Sequence, residues 1–195
     1  MREIATPHGP ARVELHAAGS PRGTLVLGHG AGGGIGAPDL VAARDAALAL
    51  DVAVALVEQP YRVAGRKSPA PAAQLDVAWL AVLDALEPAA PLFVGGRSSG
   101  ARVACRTAEA AGAAGVLCLA FPVHPPGKPE KTRLDELDAV PVPVLIIQGE
   151  RDPFGMPPDA RGREVVAIPG THTLRSAGRI AEAVTGWLQP RRAAS

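Results

Sequence analysis

The sequence predicts an α/β fold in which one mainly parallel sheet carries helices on both faces. Two observations carry this. Short runs such as residues 24–27 and 144–148 are continuously apolar, the pattern of strands covered on both sides. Ala- and Leu-rich stretches of helical spacing lie between such runs, with glycine- and proline-bearing turns at the joins. Strand and helix therefore alternate along the chain.

Residues 12–16 alternate apolar and polar, as in a short strand. Residues 24–27 form the first fully covered strand. Residues 39–50 read as a helix with Asp39 near its start, and residues 52–57 as the next strand. In residues 72–86, Leu75, Trp79, Val82, Leu83 and Leu86 recur on one helical face. Residues 92–94 are a strand, and residues 99–111 a helix closed by Gly112. Residues 116–120, 144–148 and 165–168 supply three more strands. Ile180, Val184, Trp187 and Leu188 mark a final amphipathic helix. Residues 121–140, rich in Pro, Lys and Glu, show neither period.

At 195 residues the chain is sized for a single domain, residues 1–195, with residues 190–195 as a flexible tail. A net charge of +1 with scattered arginines gives no basic footprint for nucleic acid. Cys105 and Cys118 fall on a helix and in a strand, where cysteine acts as a small apolar residue. The first 19 residues hold no apolar run long enough for a signal-peptide core, and no stretch approaches a membrane span. The expectation is a cytoplasmic protein without membrane or nucleic-acid partners.

Ligands of open parallel sheets bind beyond the carboxyl ends of the strands. Residues 24–27 are followed by Gly28, His29, Gly30, Ala31, Gly32, Gly33 and Gly34. Residues 92–94 are followed by Gly95, Gly96, Arg97, Ser98, Ser99 and Gly100. Asp152 comes after residues 144–148, and His172 after residues 165–168.

Gly96, Arg97, Ser98, Ser99 and Gly100 fit G-x-S-x-G, a sharp strand-to-helix turn that holds a serine proud of the sheet. The plain alternative is an ordinary Gly/Ser turn. A nucleophilic serine needs a base, and the base an orienting acid. The order Ser98, Asp152, His172 supplies them as nucleophile, acid and base. Glu150 competes for the acid's role, and Asp152 also suits a plain turn before Pro153. His124 precedes the acid, and His8 and His16 precede the glycine loop. The Ala31 and Ser99 N–H groups are assigned to the oxyanion, with Gly32 as second choice for the loop donor. His29 reads as a support of that loop.

Three blocks resemble the compact bacterial α/β hydrolases related to dienelactone hydrolase and to eukaryotic Tex-type proteins. They are residues 27–32, residues 95–100 and residues 121–128, extended by residues 148–155. The resemblance implies the α/β-hydrolase fold without a substantial cap domain, and a serine triad at Ser98, Asp152 and His172. Ser99 departs from the Met or Gly that commonly follows the family serine. Residues 121–140 stand where larger hydrolases insert a cap, so the site is expected to be open or lightly covered. Gly32, Tyr61, Arg62, His124 and Lys128 are expected to bind a small-molecule acyl substrate. Arg62 and Lys128 are candidates for a substrate carboxylate or phosphate, whereas Arg66 reads as a solvated loop residue. No cofactor or metal is called for, and the oligomeric state is left open.

Two rival readings remain at this stage. Gly28 to Gly33 also match G-x-G-x-x-G, with Glu58 as a ribose contact, as in a nucleotide binder. The late helix start near Asp39 argues against it. The other rival keeps the fold as an interaction module without catalysis; a complete triad argues against that. A metallohydrolase lacks ligand spacing among the histidines and cysteines.

Overall fold

The structure is a computed structural model that describes residues 1–192. It contains an eight-stranded sheet. In chain order the elements are β1 (Arg2–Ile4), β2 (Ala11–His16), β3 (Thr24–Gly28), α1 (Pro38–Leu48), β4 (Ala53–Glu58), α2 (Pro60–Val63) and α3 (Ala72–Leu86). There follow β5 (Leu92–Arg97), α4 (Ser99–Thr107), β6 (Gly115–Leu119), α5 (Leu134–Asp138), β7 (Val144–Gly149), β8 (Arg163–Ile168) and α6 (Ala177–Leu188). The strand order is β1-β2-β4-β3-β5-β6-β7-β8. β2 pairs antiparallel with both β1 and β4; β4, β3 and β5 to β8 pair in parallel.

The central strands are apolar along most of their length because successive side chains enter different layers, both of them covered. Val26, Val94, Val116 and Ile146 pack on one face with Trp79, Val82 and Val103. Leu25, Leu27, Phe93, Leu117 and Ile147 pack on the other with Leu40, Ile180 and Trp187. Helices α3 and α4 cover the first face, and α1 and α6 the second.

Three elements were not read from the sequence. β1 and α2 are too short to display a period. α5 lies inside residues 121–140 and is held from outside: Glu136 pairs with Arg102 and Arg106 of α4. α4 also ends earlier than expected, at Thr107, and a further turn leads to Gly112 with a φ of +62°. The expected tail, residues 190–195, is described through residue 192. Arg191 and Arg192 donate their N–H groups to the Leu188 carbonyl, and the Arg191 guanidinium lies over the Trp187 ring. Residues 193–195 of that tail lie outside the described residues. No helix among the described residues is long and apolar enough to cross a membrane.

The join between β3 and α4 is tight. At Gly100 a Cβ would run into the Gly28 carbonyl, so a side chain there must separate helix from strand. Just beyond β3, the buried His29 ring holds two backbone groups. Its Nδ1 donates to the Gly30 carbonyl (2.8 Å), and its Nε2 accepts the Gln59 N–H (3.1 Å). Because an amide N–H only donates, the ring is the neutral Nδ1–H tautomer. Burial pushes its pKa below the ordinary 6.5.

Gly100→Ala is expected to destabilise the protein by about 1–3 kcal/mol, read as a lower urea midpoint at unchanged slope. Below pH 6.5 the unfolded chain takes up a proton at residue 29 that the folded chain refuses, so stability falls as acid is added. His29→Gln is expected to lower stability at neutral pH yet flatten that acid-side slope in pH-dependent urea melts.

Candidate active site

β5 passes into α4 through one residue. Ser98 takes φ 52° and ψ −107°, a left-handed turn that a side chain adopts only when its surroundings enforce it. The enforcement is visible on both sides. The Ser98 N–H donates to the Leu119 carbonyl of β6 (2.9 Å), and the Ser98 carbonyl accepts the Arg102 N–H (3.2 Å). Ser99 opens the helix, so its N–H belongs to the first turn, which has no partner in the helical ladder.

The acid loop follows β7. The Asp152 N–H donates to the Gly149 carbonyl (3.1 Å), and its Oδ1 accepts the Phe154 N–H (2.9 Å), closing a tight turn. Its Oδ2 accepts two bonds, from His172 Nδ1 and from Gln148 Nε2, both 2.9 Å. The carboxylate is 1% exposed. Gln148 also donates to the carbonyls of Phe121 and Gly155, at 3.0 and 2.8 Å. The loops after β7 and β8 remain paired, since Glu150 N–H reaches Ile168 O and Arg151 N–H reaches Gly170 O. Glu150, the competing acid, is exposed.

His172 completes the line with Nε2 2.9 Å from Ser98 Oγ. With Nδ1–H given to the carboxylate, Nε2 is left to accept the serine O–H. The Phe154 ring lies against the imidazole, centroids 4.1 Å apart. Ser98, His172 and Asp152 thus form one hydrogen-bonded chain.

The glycine loop closes on the serine. A Cβ at Gly30 would stand 3.6 Å from Ser98 Cβ. His29 holds the Gly30 carbonyl, and the Tyr61 hydroxyl donates to the Ala31 carbonyl (3.0 Å). In a planar trans peptide the N–H points opposite its carbonyl. The Ala31 N–H is therefore turned away from His29, and the Gly32 N–H away from Tyr61. The Gly33 N–H is engaged by the Gly30 carbonyl (3.2 Å).

The expected substrate-binding residues fall in different places. Tyr61 is buried beneath the loop and serves as its prop instead of lining an open rim. His124 braces the acid loop: its N–H donates to the Phe154 carbonyl (3.1 Å), its Nδ1 to the Pro125 carbonyl (2.9 Å), and its ring abuts Gly155. Arg62 extends toward the Arg66 carbonyl (3.4 Å). Lys128 is exposed in a turn of the segment after β6, and Gly32 is exposed on the loop. Sequence reasoning passed over Gln148, Phe154, Arg97 and Asp39. A buried amide ending an all-apolar strand was the available signal for Gln148. The nucleotide-binding pattern also loses its structural context, because α1 starts only at Pro38 and Gly33 opens no helix.

Comparison with known proteins agrees with this architecture. A solved α/β serine hydrolase without lid from Xanthomonas campestris is 19% identical, with a TM-score of 0.78 over 100% of this chain and 95% of that one. Est1E from Butyrivibrio proteoclasticus, solved with ferulic acid, is 18% identical, with a TM-score of 0.78 over 98% and 99%. Dienelactone hydrolase from Anabaena variabilis is 15% identical, with a TM-score of 0.74 over 98% and 96%. At such identities the likeness is one of fold. A search of curated proteins found no match. Residues 21–177 match the family described as the alpha/beta hydrolase domain, and the chain belongs to that family.

Proposed function

We propose that the protein is a serine hydrolase acting on an ester, thioester or related small-molecule acyl substrate. The observation that carries this reading is the continuous line from Asp152 through His172 to Ser98 Oγ, with 2.9 Å at each link. The lidless serine hydrolase, the ferulic-acid complex and the dienelactone hydrolase to which the fold is similar support acyl chemistry as the class.

In the proposed reaction Ser98 Oγ attacks the substrate carbonyl carbon while its proton passes to His172 Nε2. Asp152 holds the tautomer through Nδ1 and supports the imidazolium that forms. The oxyanion accepts hydrogen bonds from the N–H groups of Ala31 and Ser99, with the positive end of α4 behind the latter. The bond to the leaving group breaks as the leaving group takes the proton from Nε2. Water then attacks the acyl-enzyme, gives a proton to Nε2, and Ser98 recovers that proton as the acid departs. Tyr61 and His29 act on this reaction through the loop they hold.

Ser98→Ala is expected to lower kcat up to ~10⁶-fold. A fluorophosphonate should label wild-type protein at Ser98 and leave the variant unlabelled. Folded wild-type protein that stays unlabelled at Ser98 would overturn the proposal. Asp152→Asn should keep the fold and lower kcat by up to ~10⁴-fold, because the amide can donate to Nδ1 and reverse the tautomer.

A further inference from the structure

We propose that Arg97 and Asp39 are a positioning pair that holds the main chain of His172 where its ring meets Ser98. The inference rests on the Ser98, His172 and Asp152 reading above. β8 stands three places from β5 in the sheet, so the His172 loop reaches back across the ends of β6 and β7. At the usual strand spacing that is roughly 14 Å. Asp152 meets this loop partway, at the imidazole. Arg97 meets it at the far end.

Three contacts define the device. Arg97 Nε donates to Asp39 Oδ2 (2.8 Å), and Nη2 donates to the His172 carbonyl (3.1 Å). Nη1 lies under the glycine loop, 2.8 Å from where a Gly30 Cβ would stand. One planar guanidinium therefore touches α1, the oxyanion loop and the histidine loop, and it belongs to the residue next to the nucleophile. Asp39 is 2% exposed, and its other oxygen accepts the Leu40 N–H (2.9 Å), which leaves the carboxylate one orientation. With Nε fixed, the rigid fork aims Nη2 at the His172 carbonyl; a lysine ammonium has no such fork.

Burying an ion pair is a weak source of stability, and an apolar or neutral pair usually does as well. A pair kept for bracing alone is thus replaceable without loss of rate, and a positioning pair is not. Arg97→Met with Asp39→Asn strands no charge and keeps the acceptor for Leu40. This double variant is expected to melt near the wild-type temperature. Its kcat on an activated acetate ester should fall about 10²-fold at unchanged KM, the cost of a base displaced by about 1 Å.

Fluorophosphonate should still label Ser98 to full stoichiometry, at a rate reduced in parallel. Should the double variant fold poorly, Arg97→Lys keeps the charge beside Asp39 and should show the same split in smaller measure. Added guanidinium ion should partly restore the labelling rate of Arg97→Ala. Wild-type kcat and labelling rate in the double variant, or in Arg97→Lys if the double variant fails to fold, would overturn the positioning pair. The triad reading would survive that result, since wild-type labelling at Ser98 tests it separately.

Discussion

Parallel pairing from β4 through β3 and β5 to β8 sets six carboxyl ends on one rim, and every group of the site descends from that register. Gly28 stands opposite Gly96, Arg97 opposite Leu119, and Gly149 opposite Ile168. The strand ends therefore lie within about two residues of one another, and the loops leaving them meet. The same parallelism requires a crossover after each strand, which puts α3 and α4 on one face and α1 and α6 on the other. Apolar side chains fill both layers, and the polar groups of consequence stand where the strands stop.

At that rim the backbone leaves its ordinary range. Ser98 and Ala120, at the ends of neighbouring strands, both take a φ of 52°. Such a conformation costs about 1–3 kcal/mol and lasts only when neighbours over-determine it. Ser98 is tied to Leu119, and the Ala120 N–H donates to the Ile147 carbonyl at 2.9 Å. Buried polar side chains do the rest of the fastening. His29 and Tyr61 hold carbonyls of the glycine loop, Gln148 gathers the acid loop, and Asp39 orients Arg97. In a low-dielectric setting such bonds are directional, and each defines an angle that apolar packing leaves loose.

The segment after β6 is braced to the body of the molecule. Its first part meets the acid loop through the His124 N–H, and its helix α5 is fastened to α4 by Glu136. Arg106 joins the same cluster and also pairs with Asp76 of α3. No cap domain is built from it. That agrees with the lidless fold to which the chain is similar.

The sequence by itself determined the alternation of strands and helices, the extent of α3 and the G-x-S-x-G turn. It also put Ser98, Asp152 and His172 after three different strands, in an order that admits one hydrogen-bonded line. Apart from that order, these features are local: a period within a segment, or a motif within five residues. Tertiary structure alone decided which polar groups hold the line in place. The Arg97 guanidinium meets a carboxylate 58 positions away and a carbonyl 75 positions away, and no spacing along the chain encodes either contact. The sequence alone sets Tyr61 and His124 beside a lightly covered substrate site. In the fold the Tyr61 hydroxyl turns to the Ala31 carbonyl, and the His124 ring lies against Gly155 of the acid loop. A side chain's direction is set by what packs around it, and packing exists only once the sheet has formed.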